Sequence, residues 1–129
     1  MPTPVQPPPG SVSLEKNGHI TYHLAPREYW EAHAANSSYV PERFGDEGFI
    51  HCTDTIEEVI AVGNRYYLED ARPYLLLAVD CALVTAPIVY EDPGKTFPHV
   101  YGPLEVEAVR EVHAVTRDAA GRFLSVGPR

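Results

Sequence analysis

An unbroken apolar segment, "PYLLLAVD" at residues 73–80, decides the fold class. It has the length of a strand, and turn-forming residues flank it on both sides. A strand in which consecutive residues are all apolar is typical of burial on both faces of a sheet. We therefore expect residues 73–80 to form a central strand, with the rest of the chain arranged around it.

Two units, each a strand followed by a helix, come before this segment. "HITYHLA" at residues 19–25 carries β-branched and aromatic residues and alternates in polarity, so it predicts a strand. Pro26 ends this strand and suits the first turn of a helix, where its missing N–H costs nothing; "REYWEAHAA" at residues 27–35 is therefore predicted to be helical. The second unit is the strand "FIHCT", residues 49–53, and a helix that runs to about Tyr67.

The second helix has a predicted start and a predicted buried face. Thr53 or Asp54 is positioned to cap it, with Glu57 or Glu58 as the reciprocal partner. Its apolar residues recur at helical spacing, which indicates one face packed on the sheet. The residues of that face are Ile56, Val59, Ile60, Gly63 and Tyr67.

The chain beyond residue 80 is predicted to consist mostly of strands. "PIVYED", "HVYG", "VREVHAVTRD" and "RFLSV" all have strand-like composition, and "PLEVEAV" predicts a helical turn among them. Two strand-helix units followed by a run of strands favour an α+β domain. We expect a mixed or antiparallel β-sheet core with two main helices.

The composition predicts one domain preceded by a tail. A chain of 129 residues is long enough to bury a single core and short for two. Residues 1–18 are rich in Pro, Gly and Ser and are expected to be a disordered tail, which leaves residues 19–129 as the domain. No apolar stretch approaches the length of about 18 residues that a membrane span needs, and no secretion signal is recognisable. We expect a cytoplasmic protein without membrane contact, in which Cys52 and Cys81 stay reduced.

The net charge of the chain limits the classes of partner that it is expected to bind. The net charge is −8, and the 10 Lys and Arg residues are spread along the sequence. A general nucleic-acid surface needs clustered cations to neutralise phosphates, so none is expected here. A local pocket that binds an anionic small molecule through a few arginines stays open, and a small-molecule ligand is the partner that we expect.

Three histidines occur in matching contexts. His23, His51 and His99 lie in "TYHLAP", "GFIHCT" and "FPHVYGP", each in a short strand-like segment beside a turn. Strand ends are where a scaffold commonly presents functional groups to a cleft. We therefore expect the three side chains to converge on one cleft.

Other interpretations of these histidines stay open. Each is also consistent with a half-buried side chain bonded to the backbone. A zinc site would use Cys52 beside His51, and a nucleophile pair would join Cys52 to a histidine of another strand. Because consecutive strand residues point to opposite faces, His51 and Cys52 cannot easily share one ion, and no metal is expected.

Five motifs, in order, resemble a known family. "ITYHLAPREYWEA", "EGFIHCT", "VGNRYY", "LLLAVD" and "FPHVYGPLEVEAV" are similar to the bacterial family called domain of unknown function 952, over about residues 19–123. That family is grouped with the ADP-ribosyltransferase-like folds, and its pattern is similar to that of the RNA 2'-phosphotransferases. His23, His51, Arg65 within "VGNR" and "LLLAVD" fall at the positions that correspond to motifs of those enzymes.

The resemblance implies a transferase-type cleft. The implied ligand is NAD, as a substrate, or a phosphorylated or ADP-ribosylated small molecule, and the implied activity is that of a glycosyl- or phosphotransferase. His23 is expected to donate to a ribose hydroxyl, Arg65 to meet a phosphate, and Tyr66 or Tyr101 to stack on a ring. The implied catalytic residues are His23, His51 and Glu91, and the implied ligand-binding residues are Arg65, Thr53, His99 and Tyr101.

The catalytic carboxylate separates two functions that the sequence leaves open. Transfer through an oxocarbenium-like centre calls for a nearby carboxylate, and Glu91 and Glu105 are the candidates. A glutamate opposite His23 across the cleft favours chemistry. Without one, the chain is better explained as a non-catalytic nucleotide or small-molecule binding module.

Overall fold

The structure, a computed structural model, describes residues 6–127 and has an α+β architecture. Its helices are α1 (Arg27–His33), α2 (Phe44–Glu47) and α3 (Ile56–Tyr66), with short 3-10 helices at Cys81–Leu83 and Val106–Ala108. Its strands are β1 (Val12–Ser13), β2 (Ile20–Pro26), β3 (Ser38–Tyr39), β4 (Ile50–His51), β5 (Tyr74–Asp80), β6 (Ile88–Tyr90), β7 (Pro98–Val100), β8 (Leu104–Glu105), β9 (Val109–Arg117) and β10 (Phe123–Gly127).

The strands form two four-stranded sheets and one two-stranded pair. One sheet has the order β10–β9–β5–β2, the other has the order β1–β6–β7–β4, and β3 pairs with β8. Within residues 6–127 every pairing between strands is antiparallel. The α+β prediction is confirmed, and the core is antiparallel rather than mixed.

Residues 73–80 are central, as predicted. β5 lies between β9 and β2, and its residues from Tyr74 to Val79 are all buried. The uninterrupted apolar sequence follows from this position, because both faces of β5 are covered. β5 pairs directly with β2, the edge strand of this sheet, and β2 carries His23.

A backbone bridge joins the two large sheets beside the site. Tyr22 in β2 donates its N–H to the carbonyl of Thr53 at 2.9 Å, and Thr53 donates back to Tyr22 at 2.8 Å. This bridge places the His23 strand beside the end of β4. The site described below lies at this junction.

Helix α3 packs closely on the sheet through a glycine. Gly63 is buried, and a Cβ built there would lie 2.6 Å from Cγ of Phe123 in β10. Only a residue without a side chain allows the helix axis this close to the sheet. The prediction that Gly63 faces the core is confirmed, and the contact fixes where the last turn of α3 presents Arg65 and Tyr66.

The cap of α3 differs from the prediction. Thr55, one residue later than the expected Thr53 or Asp54, accepts the N–H of Glu58 at 3.3 Å. The side chain of Asp54 is used elsewhere, since it accepts hydrogen bonds from His19, Thr21 and Tyr90. Asp54 therefore links β2 to β6 instead of capping the helix.

The N-terminal segment also differs from the prediction of a disordered tail over residues 1–18. Residues 1–5 lie outside the described residues, but β1 pairs with β6, and Leu14 is buried in the core at 5% exposure. Nζ of Lys16 donates to the carbonyls of Val84 and Ala86 at 2.7 and 2.9 Å. An apolar side chain and a free edge on β6 are enough to order this segment, although its Pro and Gly content favours disorder.

The described helices do not reach the length and apolar character needed to cross a membrane. The longest of them, α3, has 11 residues and carries acidic residues in its first turn.

Candidate functional site

A cleft opens where α2, α3, β4 and β7 meet. Its larger part is a cavity of about 490 Å³, and a neighbouring cavity of about 300 Å³ extends it towards β2. We call the two together the cleft, because the same five residues line both parts: Arg43, Glu47, His51, Tyr66 and Tyr67. Spaces of this size are typical of small-molecule sites.

His51 and His99 face each other across β4 and β7 and line the larger cavity. The two residues are register partners, and their ring centroids are 5.1 Å apart. Nε2 of His51 lies 3.0 Å from a carboxylate oxygen of Glu47. This contact depends on Gly48, whose φ of 80° ends α2 and turns the chain so that Glu47 and His51 meet.

His99 is held by a second carboxylate. Glu91 accepts a hydrogen bond from Nδ1 of His99 at 2.5 Å and another from the hydroxyl of Tyr101 at 2.7 Å. Burial acts to raise the pKa of Glu91, but the hydrogen bonds from Tyr101 and His99 lower it overall, so this carboxyl group is ionised. Phe49 stacks on the His99 ring, with centroids 4.2 Å apart.

These contacts determine the tautomer of His99. An ionised carboxylate can only accept a hydrogen bond, so Nδ1 of His99 carries a proton and is the donor to Glu91. Within residues 6–127, Nε2 of His99 has no hydrogen-bond partner. Because His99 lines the larger cavity and Glu91 does not, Nε2 is the ring nitrogen left to serve the cavity.

His23 lies in the smaller cavity and is neutral. Its Nδ1 is 2.7 Å from the carbonyl oxygen of His51, which can only accept, so Nδ1 carries the proton. Burial lowers the pKa of His23 to about 4. Nε2 is then an acceptor, and the Tyr39 hydroxyl approaches it at 3.4 Å. This differs from the role as donor to a ribose hydroxyl that the resemblance implies: the one N–H of His23 is used within the protein, so Nε2 can only accept a hydrogen bond.

Three arginines line the cleft; Arg72 is held by carboxylates in close ion pairs, which leaves Arg43 and Arg65 as the cations without a close ion pair. Arg65 is exposed in the last turn of α3, its guanidinium carbon lies 5.9 Å from the centroid of the Tyr66 ring, and no carboxylate among the described residues pairs with it. Arg43 has only a 3.9 Å contact to Asp46, with its side chain 76% exposed. Tyr66 is 67% exposed, which leaves its ring available at the mouth of the cleft.

Thr53 and Cys52 occupy the inner wall of the larger cavity. Thr53 is 6% exposed, and its hydroxyl has no hydrogen-bond partner within residues 6–127. Cys52 is 2% exposed and belongs to the hydrophobic core. Its burial is the main cause that raises the pKa of its thiol, and the nearby Cys81 raises this pKa further. A protonated, buried thiol is a poor nucleophile, so the geometry does not favour a Cys-His nucleophile pair.

The structure therefore brings together most of the residues that the sequence singled out. His23, His51, His99, Thr53 and Arg65 all line the cleft, as the expected convergence of the histidines requires. Glu91 and Tyr101 lie behind His99 rather than in the cleft wall. Of the two candidates for ring stacking, only Tyr66 lines the cleft.

Glu105 lies outside the site. Its carboxylate accepts from the N–H and the hydroxyl of Thr85, the latter at 2.6 Å, and it lies in β8 opposite Ser38. Sequence reasoning missed Glu47 and Tyr39, whereas Arg43 is one of the few arginines that a pocket for an anionic ligand was expected to use. The spacing of four residues between Glu47 and His51 was the available signal, but Gly48 between them made a continuous helix improbable. Among the described residues no group of three His, Cys, Asp or Glu side chains could hold a metal ion.

Comparisons with known proteins find one family and the solved structures of one similar protein. The family described as "Protein of unknown function (DUF952)" matches residues 24–112. The crystal structure of protein CC0527 from Caulobacter crescentus is 27% identical, with a TM-score of 0.67 over 81% of this chain and 93% of that one. The crystal structure of a double mutant of that protein is 26% identical to this chain, with a TM-score of 0.68. Its solution NMR structure is 25% identical, with a TM-score of 0.57 over 79% of this chain and 89% of that one. A search of curated proteins finds no match. Since the family match spans more than half of the sequence, this chain belongs to the DUF952 family.

Proposed function

We propose that this chain binds a phosphorylated or ADP-ribosylated small molecule in the cleft, with NAD as the first candidate, as a domain of the ADP-ribosyltransferase-like class. The observation that carries the proposal is the placement of Arg43, Arg65 and Tyr66 at two neighbouring cavities whose walls include histidines. In a chain of net charge −8, two arginines without close ion pairs at one cleft favour an anionic ligand. The resemblance to the RNA 2'-phosphotransferases supports the same class of ligand by analogy.

Each part of such a ligand has a matching group in the cleft. Arg65 and Arg43 at the mouth suit a diphosphate, and the exposed ring of Tyr66 suits an adenine or nicotinamide ring. The acceptor nitrogen of His23 and the hydroxyl of Thr53 suit ribose hydroxyls deeper in the cleft. A glycosyl- or phosphotransferase would place the reacting bond near these inner groups.

The test is isothermal titration with NAD, ADP-ribose and nicotinamide, preceded by a thermal-shift screen. A ligand at 100 times its dissociation constant should stabilise the fold by about 2.7 kcal/mol. Arg65→Ala should weaken binding of the phosphorylated ligands by roughly 1.5 to 3 kcal/mol, the range for hydrogen bonds to charged groups, and His51→Ala should cause a similar loss. Cys52→Ala should leave affinity almost unchanged.

A matched control comes from Arg110, an exposed arginine in β9 that does not line the cleft. Arg110→Ala removes the same charge and should leave every affinity unchanged. Equal losses in the Arg65 and Arg110 variants would indicate a general charge effect and contradict the proposal. So would the absence of binding to all phosphorylated ligands.

The second candidate, a non-catalytic binding module, is favoured by the position of Glu91. This carboxylate serves His99 and does not line the cleft, whereas Glu47 and Glu42, which do line it with His23, already pair with His51 and Arg72. Glu105 and Glu107 have the Glu-x-Glu spacing of protein-modifying ADP-ribosyltransferases, but Glu105 is bonded to Thr85 and Glu107 is exposed, both away from the cleft. Binding of ADP-ribose without turnover of NAD would select this candidate.

A further inference from the structure

We propose that the chain hydrolyses the nucleotide that it binds, with Nε2 of His99 as the general base that takes the proton of the attacking water. The proposal rests on the binding function above and adds a reaction to it. Its basis is the set of contacts around His99, which fix both the orientation of the ring and the position of its proton.

Two contacts fix the ring of His99. Glu91 holds Nδ1 at 2.5 Å, and Phe49 stacks on the ring face at 4.2 Å between centroids. Tyr101 in turn holds the same oxygen of Glu91 at 2.7 Å, so the carboxylate cannot rotate away. A ring positioned in this way needs little reorganisation when it accepts a proton, and the ionised Glu91 stabilises the resulting imidazolium.

The remaining nitrogen serves a cavity that contains another unused polar group. His99 and Thr53 line the same 490 Å³ space, and the hydroxyl of Thr53, a residue that is 6% exposed, has no hydrogen-bond partner among the described residues. A hydroxyl in a cavity wall can both donate to and accept from a ligand or a water. The lining of the cavity thus includes a ring nitrogen and a hydroxyl that have no partner in the protein, and both could bind a water.

His99 is better suited to this role than its neighbour. The side chain of His99 is 19% exposed, whereas that of His51 is 48% exposed. Shielding from bulk water strengthens the electrostatic support that Glu91 gives to His99. His51 is therefore left to ligand binding, together with Glu47.

In the proposed step, a water molecule in the larger cavity gives one proton to Nε2 of His99 while its oxygen bonds to the anomeric carbon of the ribose. The bond from that carbon to the nicotinamide nitrogen breaks, and its electron pair stays on the nitrogen, which loses its positive charge. The proton on His99 then passes to solvent. The products are ADP-ribose, nicotinamide and one proton.

The experiment uses the full chain, NAD as substrate, nicotinamide release as the rate readout and isothermal titration of ADP-ribose as the binding readout. His99→Gln should lower kcat by about 100- to 10,000-fold, the usual contribution of a general base. Glu91→Gln should lower kcat in the same direction, and Tyr101→Phe should lower it less. KM and the affinity for ADP-ribose should stay close to those of the wild type in all three, because the arginines and Tyr66 are untouched.

A second histidine and glutamate pair gives a matched control. Nε2 of His113 lies 3.0 Å from Glu111 in β9, outside the cleft. His113→Gln and Glu111→Gln should leave kcat, KM and affinity unchanged. Thermal melts of every variant identify those that lose activity by unfolding, and Glu91→Gln preserves the shape of the side chain if His99→Gln does not fold.

Each result supports or overturns the proposal. Turnover that depends on His99 and Glu91, with binding intact, supports it. ADP-ribose binding without any turnover in the wild type overturns the hydrolase and leaves the binding function standing. Turnover that His99→Gln retains overturns the assignment of His99 as the general base. Absence of binding overturns the proposed function itself, and with it this inference.

Discussion

Replacing Gly63 with alanine tests the contact that sets the position of α3. The added Cβ would lie 2.6, 2.7 and 2.9 Å from three ring atoms of Phe123, distances at which a neighbour must move. The Phe123 ring is 1% exposed and is confined by Tyr74, at 5.7 Å between centroids, and by the guanidinium of Arg117, 4.2 Å from the ring centroid. It therefore has little room to shift.

The magnitude follows from two opposing effects. Inserting a methyl group into a packed core costs about 1–3 kcal/mol. Alanine gains about 0.5–1 kcal/mol over glycine in a helix interior, which offsets part of this cost. We expect Gly63→Ala to lower the free energy of unfolding by up to about 2.5 kcal/mol, measured by urea denaturation.

Gly45 in α2 provides the matched control, because a Cβ built there meets no atom within 4 Å. Gly45→Ala should be neutral or stabilising by up to about 1 kcal/mol.

In the Gly63→Ala background, Phe123→Leu should cost less than it does in the wild type, since a smaller side chain relieves the clash. A Gly63→Ala variant at least as stable as the wild type would contradict this account of the helix position. A displaced α3 would also move Arg65, so the variant should bind NAD more weakly.

Three further outcomes are expected. The hydrogen bond from Arg72 holds the pKa of Asp70 well below its usual range, so ionised Asp70 stabilises the folded state. This contribution is complete above about pH 4, the pKa of Asp in an unfolded chain, and is lost as the pH falls below it. Asp70→Asn should therefore lower the free energy of unfolding in urea at pH 7 and differ less from the wild type at pH 3. Burial lowers the pKa of His23 to about 4, so between pH 6.5 and 4 the unfolded chain binds a proton that the folded chain does not. The free energy of unfolding should therefore fall by roughly 3 kcal/mol over this range. His23→Gln should flatten this pH dependence, and an unchanged slope would show that another group causes it. Tyr66→Leu should weaken NAD binding by about 1–3 kcal/mol in isothermal titration with no loss of stability, because its ring is exposed and available for stacking; unchanged affinity would place the aromatic wall elsewhere.

The sequence predicted those elements whose conformation depends on the residue pattern within a single segment. The apolar run in β5 predicted a central strand, because burial on both faces removes the need for alternation. Gly63 was predicted on the buried face of α3 from helical spacing alone. The three histidines were recognised from their turn contexts, and strand ends of an antiparallel core bring such positions to one cleft.

The chemistry of the site, in contrast, depended on pairings between distant segments. Glu91 was a candidate from the sequence, but only the register of β6 against β7 places it on His99 and behind the cleft wall. The acceptor nitrogen of His23 follows from a carbonyl in another strand, that of His51. Hydrogen-bond partners, and therefore tautomers and charges, are set by tertiary contacts. Sequence determined which segments become strands and helices, whereas the packing of those segments decided which nitrogen of each histidine is free to meet a ligand.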